Sequence, residues 1–594
     1  MPLPESYLRK LEKEITRLRP SLSGSQELSV EAEPASDGDS QNDHLLNERL
    51  IEDSTTEHFI WKLKGVRSAL TQGNAQDSSF PTAPASSRAS LPRDLDEKSM
   101  ASSYTYIPLD YDNAQTKVVI KLPPHSYATY LLSQFETFIG SDYHWFRHQH
   151  FRARMEATYN DPHSPLVDRT WLCCFSVVLA LGESYNDSVA PSFSIDDRTG
   201  VNRNDQSIPD SQQLTPPGIE LFKQGLLLLR PSYEEPTVEQ VEALNLIAFY
   251  SYSLNRRKTA YAYAGMALRL ASLLGLSNPL QTLTNAAEKE HRKRVWWTAI
   301  CMDMMTCTEL SLAPERGFNG NSLEFPDNLQ LSPDEIRDFS DPQYFTAQIK
   351  LCRIKYRVIQ TISNLRLGDT YETNTLINPC LQALHQWRME FQPCLDFTEN
   401  GRFSDATLAH PSMRTIASLL MRYNQCFILL LRPLLLKQLY SFVRDGNPSY
   451  PSSELSSLNN ECLRAATDNT IIQHALSKCH RIAKFGFWES LHIFSSLTIH
   501  VITRFMTEKY SVVFNSTRSN APFGPVRDLL REMARVGNAA SKDHERMIQD
   551  VEDLFTADSV GVELTEEIED LIGWSDCVDG GNLPGIRYVD FQVS

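Results

Sequence analysis

The sequence predicts an all-α protein: a large helical array with a short N-terminal coiled coil and a disordered linker before it. Three observations carry this expectation. Between residues 122 and 546 apolar residues recur at helical spacing over long segments, with few runs of strict alternation. Pro, Gly and Asn fill the breaks between those segments, where helices must stop. Hydrophobic residues make up 41% of the 594 positions and aromatic residues 10%, which is too rich for wholesale disorder.

The first element, residues 1–19, places Leu8, Leu11, Ile15 and Leu18 at spacings of three and four, the seam of a short dimerising coiled coil. About two heptads are marginal alone, so the element needs a partner chain or a docking site on its own chain. Pro20 stops it. Residues 20–103 are rich in Ser, Pro and acids and cannot bury enough surface to order themselves, although an island at 58–70 carries apolar residues. The helical array follows, over 118–546.

Its most legible helix lies at 259–276, where Ala260, Ala264, Ala267 and Ala271 form one stripe that lets a neighbouring helix approach closely. Gly275 supplies a left-handed terminating residue, Leu276 the apolar contact of such a cap, and Asn278-Pro279 blocks continuation. The next helix, 286–309, opens with charge and then turns apolar. Trp296, Ile300, Asp303 and Cys307 share one stripe, and Trp297, Cys301 and Met304 the adjacent one, so the helix is expected to be buried on most sides. A buried Asp303 needs a cation or several donors, and Arg269 and Arg294 are the expected partners. The basic run 291–294 reads either as a nuclear-import patch or as the solvated first turns of this helix. The chain ends in an acidic-hydrophobic tail, 547–594, in which Leu554, Phe555, Leu571, Ile572 and Trp574 alternate with acids. Such a tail suits an activation segment that folds on a coactivator, or a last amphipathic helix covering the core.

Bulk chemistry narrows the function. Lys and Arg total 57 against 74 Asp and Glu, a net charge of −17 that repels a phosphate backbone, so any DNA contact must be local. The longest apolar run, 426–436, is broken by Arg432 and Pro433, and no membrane association is expected. The cysteines are scattered in apolar stretches and contain no C-x-x-C, which excludes a zinc cluster within these residues and reads as reduced core thiols. His144 and His148 have metal-ligand spacing, but flanking Trp145, Phe146 and Phe151 favour a packed aromatic face. Asp196-Asp197 has no second acidic motif to share a metal ion, and Gly182-Glu183-Ser184 lacks the later glycine of a nucleophile elbow. No catalytic constellation is found, and no enzyme is expected.

Several stretches resemble the regulatory domain of fungal binuclear zinc-cluster transcription factors. LPPHSYATYLLSQFETFIG and TWLCCFSVVLALGESY are similar to its opening helices, and residues 236–276 match a helix pair ending in A-R-A-x-x-L-G-L. EKEHRKRVWWTAICMD resembles its R-R-x-W-W signature with Arg294, Trp296, Trp297 and Asp303 in place, and RYNQCFILLLRPLL resembles a later helix containing Arg432-Pro433. The sequence departs where Gly-Arg-Pro usually follows: Ser311, Leu312 and Ala313 precede Pro314. The resemblance implies a nuclear regulator of RNA polymerase II transcription that forms a homodimer through its coiled coil, engages a coactivator or repressor, and responds to a small-molecule effector. It implies DNA contact through an N-terminal zinc cluster, which would stand before Met1. Zinc is expected only with that cluster, and no cofactor in this chain. The alternative is a dimerising scaffold without DNA binding that inhibits its relatives.

Overall fold

A computed structural model of the protein describes residues 120–161, 167–185, 216–229, 233–277, 285–312, 314, 324–364, 370–445, 453–514 and 522–556. The coiled-coil residues Leu8, Leu11, Ile15 and Leu18, the linker, and Leu571, Ile572 and Trp574 lie outside them. Helices dominate the described residues as the apolar periodicity requires, and the β-type pairing seen there is one isolated bridge, Phe397 to Phe403.

Seven helices build a first core: α1 (His125–Phe138), α2 (His148–Asn160), α3 (Arg169–Ser184), α4 (Ile219–Leu228), α5 (Val238–Ser253), α6 (Arg257–Leu273) and α7 (Ala286–Glu309). Local chemistry sets their ends. Asp168 accepts from the Trp171 amide at 2.9 Å to start α3, Thr237 and Gln240 form a reciprocal capping box on α5, and Asn285 accepts from the Glu288 amide at 3.0 Å to start α7. Helix α3 is buried from Thr170 to Ser184. It passes so close to α1 that a Cβ on Gly182 would stand 2.2 Å from the Leu131 carbonyl oxygen.

The alanine stripe is buried as expected, and through it α6 packs between α5 and α7. Gly275 adopts φ +67°, the Leu276 amide donates to the Ala271 carbonyl at 3.0 Å, and Leu276 is fully buried, which together form the left-handed cap read from the sequence. Trp296 and Trp297 are fully buried. At the far end of α7 the Leu312 amide donates to the Cys307 carbonyl at 2.9 Å, with Ser311 at φ +55° in the position a glycine usually fills. Serine therefore makes this turn, where the resemblance would place glycine.

The second core contains α9 (Pro342–Asn364), α10 (Thr370–Glu390), α12 (Met413–Asp445), α13 (Ser453–Lys478), α14 (Phe487–Tyr510), α15 (Phe523–Arg535) and α16 (Ala539–Thr556), with the single turn α11 (Asp405–Ala409) at its margin, while the single turn α8 (Pro333–Ile336) lies against α2, where Gln149 Nε2 donates to the Asp334 carbonyl at 3.0 Å. Helix α12 is its axis, packed against α9, α10, α13 and α14. Residues 413–443 are long and apolar enough to cross a membrane by length and hydropathy, although the unbroken apolar run within them is short. Arg414, Arg422 and Arg432 interrupt the apolar surface, and the flanking helices cover much of it, as befits the central helix of a large core. Helix α16 continues past residue 546 to Thr556, and Phe555 stacks on Phe505 with ring centroids 4.3 Å apart. The opening turns of the expected tail thus cover the core.

Candidate functional site

The basic start of α7 is neither a solvated face nor an open patch, which corrects both expectations for 291–294. Arg294 is 1% exposed: its Nε donates to Glu290 Oε1 at 2.6 Å, Nη1 to the Ser340 carbonyl at 2.7 Å and Nη2 to Asn328 Oδ1 at 3.0 Å. Glu290 also accepts from the Asp327 amide at 3.1 Å and pairs with Lys293 at 2.7 Å. One guanidinium therefore ties three chain segments together, and it stacks over Phe339 at 4.8 Å. His291 is buried beside them, its Nδ1 2.9 Å from His144 Nε2, and burial lowers its pKa to about 4.

Arg294 is thus committed to Glu290, and Arg269 is exposed on α6. The expected ion pair of Arg294 with Asp303 is not formed; Asp303 Oδ2 accepts instead from the Cys307 thiol at 3.8 Å, one turn on. An arginine already serving a glutamate four residues earlier on its own helix has no need of a carboxylate two and a half turns away.

Trp297 donates from Nε1 to the Glu324 carbonyl at 3.0 Å and packs against both the Phe325 ring and the Arg353 guanidinium, which also contact each other. His144 and His148 do not share a helix, because α2 begins at His148, and among the described residues no group of three or more metal-ligating side chains occurs. Ser184 donates to the Leu181 carbonyl at 2.7 Å at the end of α3, which engages its hydroxyl in the helix terminus.

Where the two cores meet, polar residues replace apolar ones. Arg422 on α12 donates through Nη2 to Asp142 Oδ2 at 2.7 Å and through Nη1 to Gln348 Oε1 at 2.7 Å, so it joins the α1–α2 connection to α9. Ser418 reaches the same carboxylate at 3.1 Å, and Arg414 pairs with Glu489 of α14. His492 of α14 is buried in this seam, and burial, reinforced by Arg422, Lys355 and Arg414, lowers its pKa to about 3. Cys301 of α7 and Cys352 of α9 face each other there. Their mutual hydrogen bond and burial raise the Cys301 thiol well above its usual pKa, and both are free thiols. Beyond them the seam opens into a cavity of about 780 Å³ walled by α7, α9, α12 and α14. These contacts join residues up to 280 positions apart, and no short-range sequence signal marks them.

The profile of the fungal specific transcription factor domain matches residues 192–389, from before α4 to the last turn of α10. The chain carries a fungal specific transcription factor domain. That domain contains the double-tryptophan helix and runs from the first core into the second. A Schizosaccharomyces pombe protein named an uncharacterized transcriptional regulatory protein is 23% identical over 67% of this chain and 48% of its own length. The fusaridione A cluster transcription factor of Fusarium heterosporum is 27% identical over 44% of this chain and 48% of its own. The thiamine repressible genes regulatory protein of S. pombe is 21% identical over 69% and 49%. The chain spans about half the length of these relatives. No solved structure matches it.

Proposed function

We propose that this chain is the effector part of a nuclear regulator of RNA polymerase II transcription. What supports the reading most is the domain match over 192–389, on a stretch whose signature residues Arg294, Trp296 and Trp297 form the buried centre of the first core. The relatives it resembles are named as transcription regulators. The helical domain senses a metabolite or partner and passes that state to the acidic tail beyond α16. The seam along Leu8, Leu11, Ile15 and Leu18 pairs two subunits, and DNA is reached through a zinc cluster joined to that seam. Leu571, Ile572 and Trp574 meet the coactivator.

Fusing residues 550–594 to an unrelated DNA-binding module tests the tail: reporter transcription above background is expected, and none would remove the activation role. Leu11→Asp should shift the chain toward monomer in sedimentation without altering its circular dichroism, since a charge in the seam is desolvated only on pairing. An unchanged dimer would reject the coiled coil.

A further inference from the structure

We infer that the cavity between α7, α9, α12 and α14 is a binding site for a small amphipathic carboxylate, seated on Arg432. Its volume of about 780 Å³ lies in the range of pockets that enclose drug-sized ligands. Its wall is mixed: Leu429, Leu491, Phe494 and Ile359 offer apolar surface, and a few polar groups interrupt them.

Two of those polar groups have unused hydrogen-bonding capacity. Arg432 makes no hydrogen bond or ion pair among the described residues and is exposed at the cavity wall, where the neighbouring helices lower its pKa against the opposing pull of Glu309. Every other arginine of the seam is engaged: Arg414 by Glu489, and Arg422 by Asp142 and Gln348. The second group is Gln425, 4% exposed, whose Nε2 donates to Ser495 Oγ at 3.0 Å while Oε1 has no partner. A buried amide oxygen without a partner is costly, so a donor from water or from a ligand hydroxyl is needed there.

Charge selects the ligand. Lys355 pairs with Glu309 at 3.3 Å, so the lining carries two cations and one anion and retains one uncompensated positive charge. The guanidinium fork matches a carboxylate with two parallel hydrogen bonds, and the apolar wall takes a hydrocarbon body. Next to Arg432, Pro433 lies within α12 and has no amide hydrogen to give the Leu429 carbonyl one turn back, which leaves a further acceptor at the level of the cavity wall. A ligand with a hydroxyl near its carboxylate would therefore bind better than a bare acid.

Because α7 belongs to the first core and α12 to the second, with α9 and α14 contributing buried residues to both, an occupant touches both cores and stabilises their juxtaposition. Only this consequence, not the binding itself, rests on the regulatory reading above.

Calorimetric titration of the purified full chain with decanoate, decanol and decyltrimethylammonium tests the site. Decanoate should bind saturably, decanol at least tenfold more weakly, and decyltrimethylammonium not at all. Arg432→Gln should weaken decanoate at least tenfold and leave decanol unchanged, with Arg432→Lys intermediate; Leu429→Trp, which fills the cavity, should abolish both. Equal decanoate affinity in wild type and Arg432→Gln would overturn the proposal, as would preference for the alcohol or the cation, or no saturable decanoate binding. If Arg432→Gln does not fold, the Leu429→Trp titration decides. Since binding is read without transcription, its failure leaves the regulatory function standing, and loss of reporter response with binding intact would reject only the regulatory consequence.

Discussion

Replacing Arg294 with Met removes the clasp at the start of α7 while keeping its apolar volume. The guanidinium is 1% exposed and donates to Glu290, Asn328 and the Ser340 carbonyl. Losing one member of a buried ion pair typically costs about 3–5 kcal/mol, because the other charge stays desolvated. Glu290 keeps Lys293 and the Asp327 amide, which places the expected loss near the lower end, about 3 kcal/mol. Glu290→Met with Arg294→Met removes both charges, so the double variant should lose about 2 kcal/mol less than the sum of the two single losses. Urea unfolding followed by circular dichroism measures all three. An Arg294→Met loss within about 0.5 kcal/mol is what a solvated first-turn arginine would show, and it would refute the clasp.

Trp297→Ala should destabilise the chain by about 3–5 kcal/mol, since the site of a fully buried ring packed on Phe325 and Arg353 is emptied; an unchanged unfolding midpoint in the same assay would count against it. Gly275→Ala should cost about 1 kcal/mol, because a Cβ there meets no atom within 4 Å and only the left-handed backbone is strained. Gly182→Ala should cost more, about 3 kcal/mol, because its Cβ would collide with the Leu131 carbonyl; the reverse order would contradict the close α1–α3 packing. The folded pKa of His492, about 3, lies below its unfolded value of about 6.5, so the unfolded chain binds the extra proton and stability falls as pH drops through that window. The slope is about 1.4 kcal/mol per pH unit for this residue, and His492→Gln should flatten the unfolding profile between pH 6.5 and 4 by one proton. An identical slope in the variant would show that His492 protonates equally in both states.

Elements whose cause is local were legible in the sequence. The alanine stripe, the Gly275-Leu276 cap, the span of α7 and the burial of both tryptophans follow from helical period and backbone conformation, and each is found as expected. Arg294 shows where local reasoning failed. Its partner is Glu290, four residues earlier at the spacing of a helical ion pair, and not Asp303, to which the stripe on α7 points. The polar seam was illegible for a different reason. Asp142 meets Arg422 across 280 positions, and Arg432 reads in sequence as one break in an apolar run rather than as the unpaired cation of a cavity. Such pairings depend on how two cores dock, which periodicity does not encode.

The regulatory reading is tested most directly by joining the whole chain to an unrelated DNA-binding module and measuring a reporter with matching upstream sites. The expected result is transcription clearly above or below that of the module alone, abolished when Trp297→Ala unfolds the first core. Reporter output indistinguishable from the module alone, with the fusion present and folded in the nucleus, would contradict it.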